Sequence, residues 1–179
     1  MRGTKLILSF LLAVVLINCG TALQGGFRLK SSAFSDGDYI PVKYACTDEP
    51  NGQNISPPLE WENAPEGTKS FALIMYDPDA NNFIHWVVYD IPSSYKGLKE
   101  GASGSDPNIT EGINDYSYQG YAGPCPPIGD PAHTYVLKLY ALSVDSLGLE
   151  PGAAYKEVEN AMQGKILETA QLTGKYKAQ

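Results

Sequence analysis

Apolar positions along this chain fall into one block at the start and several short runs further on. Leu6 to Ile17 is apolar everywhere except Ser9 and follows the basic residues Arg2 and Lys5. Twelve residues make roughly 18 Å of helix, short of the ~30 Å hydrocarbon core of a bilayer. A basic start followed by a short apolar run predicts an export leader rather than a membrane span. Later runs have strand length. Phe71 to Tyr76 is continuously apolar, Ile84 to Ile91 is rich in valine and aromatics, and Thr134 to Leu142 alternates. The alternation puts Tyr135, Leu137, Leu139 and Ala141 on one face. Prolines at 57, 58, 78, 92, 124, 126 and 127 punctuate these runs. One stretch has helical spacing: Ala153 to Met162, with Ala154, Val158, Ala161 and Met162 on a shared face and Gly164 as its stop. Ile166 to Thr173 reads as strand or short helix. Strands and helices do not alternate, so the pattern predicts an all-β, β-dominated sandwich with a late helix.

Residues 1–22 read as leader and tether, and residues 27–176 as one domain. Two processing routes fit the leader. Leu16-Ile17-Asn18-Cys19-Gly20 is similar to a lipobox, which would make Cys19 the lipidated first residue of a membrane-anchored lipoprotein. Gly20-Thr21-Ala22 instead offers small residues for ordinary cleavage, giving a soluble periplasmic or secreted chain that starts at Leu23. Either route removes Cys19 from the cysteine count and leaves Cys46 and Cys125. In an exported protein that pair favours a disulfide, the alternative being two separate thiols.

Charge narrows the partners. The net charge is −7, and without the first 18 residues 11 basic residues face 20 acidic ones, a charge of −9. Such a surface argues against nucleic acid and anionic membrane faces as general partners. It leaves room for a small local anion site, and for a membrane only through a lipid anchor.

The candidate chemistry is sparse. Asp77-Pro78-Asp79 sets two carboxylates at the end of an apolar strand, where a plain turn is the simpler account. The two histidines, His85 and His133, each enter or head a strand. Taken singly, a buried, hydrogen-bonded histidine and one in a surface loop are the simpler accounts. Pro124-Cys125-Pro126-Pro127-Ile128-Gly129 is a stiff loop, suited to walling a pocket or to a structural crossing. The sequence contains no Gly-x-Ser-x-Gly, no Gly-x-x-x-x-Gly-Lys, no His-Glu-x-x-His and no Cys-x-x-Cys. No metal or cofactor is expected.

In order and spacing these segments resemble the phosphatidylethanolamine-binding protein family, in its bacterial Raf-kinase-inhibitor-like branch. The carriers are Asn54-Ile-Ser-Pro-Pro-Leu-Glu-Trp61, Ala64-Pro-Glu-Gly-Thr-Lys-Ser-Phe71, Asp77-Pro-Asp-Ala80 and His85-Trp-Val-Val-Tyr-Asp-Ile-Pro92. Gly120-Tyr-Ala-Gly-Pro-Cys-Pro-Pro-Ile-Gly129, His133-Thr-Tyr135 and Leu139-Tyr-Ala-Leu142 complete the set. The resemblance implies an antiparallel β-sandwich with a C-terminal helix and a small pocket for phosphate-like anions. It implies that Asp77, His85, His133 and Tyr135 line that pocket, that Asp79 and Trp86 support it, and that Pro126 and Pro127 wall it. Asn81, Thr134, Tyr116 and Lys165 depart from the family pattern.

These residues point to a non-catalytic binder in which both imidazoles and the tyrosine hydroxyl donate to an anion. Asp77 is expected to hold one imidazole with its donor turned inward. The expected ligand is phosphorylethanolamine or a phospholipid headgroup, and a protein partner could be modulated in kinase-inhibitor fashion. A hydrolase using the Asp/His cluster and a pure interaction module with a vestigial pocket are the alternatives.

Overall fold

The computed structural model describes residues 25–179; the leader reading, Cys19 and the cleavage site at 20–22 lie outside them. Eight strands and one helix follow in the order β1 (Arg28–Lys30), β2 (Leu59–Glu62), β3 (Ser70–Asp77), β4 (Phe83–Pro92), β5 (Gly97–Leu98), β6 (Thr110–Glu111), β7 (His133–Leu142), α1 (Tyr155–Met162) and β8 (Ile166–Tyr176). Every strand pairing is antiparallel. A small sheet has the order β1-β2-β5 and a large one the order β6-β4-β3-β7-β8.

The expected sandwich is present, and α1 adds a third layer. Phe27, Leu29, Trp61 and Leu98 of the small-sheet side pack against Phe71, Leu73, Met75, Trp86, Leu137 and Leu139 of the large sheet. On the other face, Ala72, Ile74, Val87, Tyr89 and Leu142 pack under Val158 and Met162 of α1. This explains why residues 71–75 are apolar at every position: β3 is central and covered on both faces, so neither side may be polar. β7 shows the predicted alternation, with Tyr135, Leu137, Leu139 and Ala141 turned into the core between the sheets.

Two readings are refined. The helix starts at Tyr155, because Ala154 is extended and acts as its N-cap. Its N–H donates to the Glu157 carboxylate at 2.8 Å, so Ala154 lies outside the predicted apolar face. The closing segment is a strand, β8, and is the longest in the fold. Its register with β7 brings His133 opposite Tyr176 and places β7 between β3 and β8. Among the described residues no helix is long and apolar enough to cross a membrane.

Cys46 and Cys125 form a disulfide across 79 residues of chain. Beside it the Cys46 N–H donates to the Pro124 carbonyl at 3.0 Å. The proline-rich loop is thereby held to the segment between β1 and β2.

Candidate functional site

β3 ends at Asp77, which serves two structures at once. One carboxylate oxygen, Oδ1, accepts from the N–H groups of Asp79 at 2.8 Å and Ala80 at 3.1 Å and so caps the 3-10 turn Pro78–Ala80. The other, Oδ2, lies 2.7 Å from Nδ1 of His133 at the start of β7. The turn and the site are therefore not rival explanations of this residue. After the turn, Asn81 and Asn82 take φ near +60° and return the chain into β4. Proline, locked near −65°, could not stand at Asn81, which explains that departure from the family pattern.

His85 reaches the same place through an irregularity. Met75 pairs with Trp86 but Tyr76 pairs with Ile84, so His85 is an extra residue without a partner in β3. Such a bulge re-aims a side chain. The backbone carbonyl of His85 accepts from the Ala122 N–H at 2.9 Å, and its Nδ1 contacts the Ala122 carbonyl at 2.8 Å. A carbonyl only accepts, so Nδ1 carries the hydrogen and Nε2 is left as a lone pair.

These groups meet in a cavity of about 90 Å³ lined by Asp77, Ala80, Phe83, His85, Tyr116, Cys125, Pro126, Pro127, His133 and Tyr135. Six of the eight predicted binding residues are thus brought together. Asp79 lies outside the lining; its carboxylate accepts from the Thr134 N–H at 2.7 Å and steadies the strand that carries His133. The expectation for Trp86 is corrected. It is fully buried between the sheets, packs on Tyr121 and donates from Nε1 to Glu111 at 2.6 Å. The bulge at His85 breaks the alternation, so adjacent residues on β4 serve the pocket and the core respectively. Lys165 sits at the end of α1, where its ammonium donates to the Ala161 carbonyl, away from the cavity.

Tyr135 is the most telling group in the cavity. Its hydroxyl is buried and makes no hydrogen bond of good geometry to the described residues, although the Cys125 backbone and the Asp77 carboxylate lie near it. Burial foremost, and the neighbouring Asp77 charge, push this phenol far above its ordinary range, so it remains an O–H donor. Leaving a buried hydroxyl unpaired costs about 1–3 kcal/mol, which a ligand acceptor can relieve. The ring meets His85 edge-on at 5.1 Å, and Phe83 meets Tyr116 at 4.8 Å.

The expected donor pattern changes accordingly. His85 spends its hydrogen on Ala122, and burial lowers its pKa from the ordinary 6.5, so it faces the cavity as an acceptor. His133 gives Nδ1–H to Asp77, so its neutral form also presents a lone pair; only as imidazolium does Nε2–H donate. No Lys or Arg lines the cavity, and Asp130 stands 3.7 Å from His133 Nε2.

Sequence reasoning did not assign Phe83, Ala80, Cys125 or Tyr116 to the lining. Tyr116 had a signal, because it occupies one of the four places where the chain departs from the family pattern. Phe83 had none beyond its position at the start of an apolar strand.

The lowered pKa of His85 gives a testable pH effect. The unfolded chain takes up a proton near pH 6.5 while the folded one resists it, so the unfolded state binds more protons below that value. Stability is present above pH 6.5 and is lost as pH falls through the window beneath it. We expect His85→Asn, whose side-chain amide can replace Nδ1–H, to reduce this acid-side slope in urea unfolding series. An unchanged slope would show that His85 contributes nothing to it.

The arrangement defines a class: an antiparallel sandwich with one small polar pocket where β3, β4 and β7 meet the proline-rich loop. The sequence model of the phosphatidylethanolamine-binding protein family matches residues 30–177. A UPF0098 protein of Aquifex aeolicus is 49% identical over 170 residues, covering 90% of this chain and 93% of its own. Escherichia coli YbcL, a UPF0098 protein whose crystal structure presents it as a member of the mammalian PEBP family, superposes with a TM-score of 0.80 at 30% identity. A PEBP homologue from Chlamydia trachomatis, CT736, superposes with a TM-score of 0.78 at 37% identity. Both structural matches cover 87% of this chain and 100% of theirs. The chain belongs to the phosphatidylethanolamine-binding protein family.

Proposed function

We propose that this chain is an exported, non-catalytic binding protein whose pocket takes the phosphate end of a small phosphorylated molecule or lipid headgroup, of the phosphorylethanolamine type. The observation that carries the reading is the unpartnered, buried hydroxyl of Tyr135 beside the Asp77–His133 pair. A singly protonated phosphate monoester matches the three groups. It accepts from Tyr135 O–H and from imidazolium Nε2–H of His133, and its own P–OH donates to the lone pair of His85. With Asp77 and Asp130 nearby and no basic side chain in the lining, long-range attraction is weak. Affinity is modest and nearly insensitive to inert salt.

Calorimetry with phosphorylethanolamine tests the reading. Tyr135→Phe removes a donor to a charged acceptor and should weaken binding roughly ten- to a hundredfold. The same variant should be no less stable than the parent without ligand, because the hydroxyl it loses has no partner. Binding should also weaken in alkali, where the phosphate loses the P–OH that donates to His85. Equal binding by parent and Tyr135→Phe would remove the phosphate reading and favour the interaction module. Turnover of phosphate esters would favour the hydrolase. Mass spectrometry of the mature N-terminus addresses export: a lipidated Cys19 or a start at Leu23 supports it, and an intact Met1 opposes it.

A further inference from the structure

The helix side of the large sheet is only partly covered. Beyond the residues under α1 lies an open cleft of about 650 Å³ between the first turn of α1 and the sheet. That size falls within the roughly 300–1,000 Å³ usual for small-ligand sites. Tyr76 of β3, Tyr140 of β7 and Tyr155 of α1 line it. Tyr76 and Asp77 are successive strand residues and face opposite sides of the sheet, so the cleft is separate from the pocket described above.

The lining mixes donors and acceptors without excess charge. Lys138 and Lys156 are matched in number by Asp115 and Glu159. The Tyr155 hydroxyl donates to Glu159 at 2.6 Å, and Lys156 pairs with the same carboxylate at 2.9 Å. Lys138 has no carboxylate partner among the described residues and lies 5.4 Å from the centre of the Tyr140 ring. The hydroxyls of Tyr76 and Tyr140 have no hydrogen bond to described residues, and burial pushes the Tyr140 phenol up to about 12, so it stays protonated.

This balance selects a ligand class. Glu159 is spent on Lys156 and Tyr155, and the remaining Lys138 and Asp115 sum to zero charge, so the lining offers an ion no net counter-charge. A hydrocarbon would strand the polar groups at a cost. A sugar hydroxyl both donates and accepts, as the lining requires. We propose that the cleft formed by Tyr76, Tyr140 and the Tyr155–Glu159 turn of α1 is a binding site for a neutral saccharide.

The test titrates the full chain with three neutral disaccharides, built from glucose, galactose and N-acetylglucosamine, and follows backbone amide shifts. At least one should move the amides of Tyr76, Lys138, Tyr140 and Tyr155 at millimolar concentration. Tyr76→Phe and Tyr140→Phe keep the rings and hence the packing. Each should raise the Kd for that sugar about fivefold, the loss of one neutral hydrogen bond. Phosphorylethanolamine binding should be unchanged in both variants. Absence of shifts with all three sugars, shifts elsewhere, or an unchanged Kd in both variants would overturn the proposal.

Discussion

Replacing both Cys46 and Cys125 by alanine should lower the unfolding free energy by about 4–5 kcal/mol in the chain-entropy account. The bridge closes a loop of 79 residues in sequence separation, long enough to restrict the unfolded chain strongly. The enclosed segment contains β2 to β6, so the crosslink confines five of the eight strands to one closed loop of the unfolded chain. A loss of that size is a large part of the stability of an ordinary domain. Urea unfolding of the parent under oxidising and reducing conditions, beside the double variant, measures it. The reduced parent and the double variant should coincide. A shift below about 1 kcal/mol would mean that the unfolded chain is already confined there by residual structure.

Asp77→Ala should cost stability and binding together. The variant strips the acceptor from two turn N–H groups and removes the partner of His133. A lost cap costs about 0.5–2 kcal/mol, and a hydrogen bond to a charged group about 1.5–3, so a combined loss of about 2–5 kcal/mol is expected. Phosphorylethanolamine affinity should fall as well, because nothing else holds the His133 ring through Nδ1. Asp77→Asn separates the two roles. The amide oxygen can still cap the turn, while the amide N–H₂ facing Nδ1 turns His133 to the tautomer with hydrogen on Nε2. That neutral ring donates inward without needing a second proton. Affinity in this variant should therefore exceed that of Asp77→Ala, with most of the stability retained. Equal affinity in the two variants would show that Asp77 does not set which nitrogen of His133 carries the hydrogen.

The long elements were legible because burial leaves a repeat in the sequence. β7 alternates because only one of its faces is in the core between the sheets. β3 does not alternate because it is buried on both. The short strands β1, β5 and β6, of two or three residues, carry no periodicity to read; their partners create them. Within the site, Asp77, His85, His133 and Tyr135 could be named from ordered motifs. Which nitrogen of His85 is available could not be, because its hydrogen is assigned by the Ala122 carbonyl, 37 residues away. Trp86, named from the family resemblance, stands beside His85 at the bulge but packs into the core between the sheets, and that bulge exists only in the pairing of β4 with β3.

By itself, then, the sequence determined the β-dominated class, the late helix, the family and the set of polar residues available for a pocket. All of these follow from residue type and local order. The tertiary structure decided what those residues do. Chain segments far apart in sequence bring a carboxylate to one imidazole and a carbonyl to the other, and leave the buried Tyr135 hydroxyl without a well-formed hydrogen bond among the described residues. Donor and acceptor roles are properties of pairs at about 3 Å, and a linear chain does not record which pairs will form.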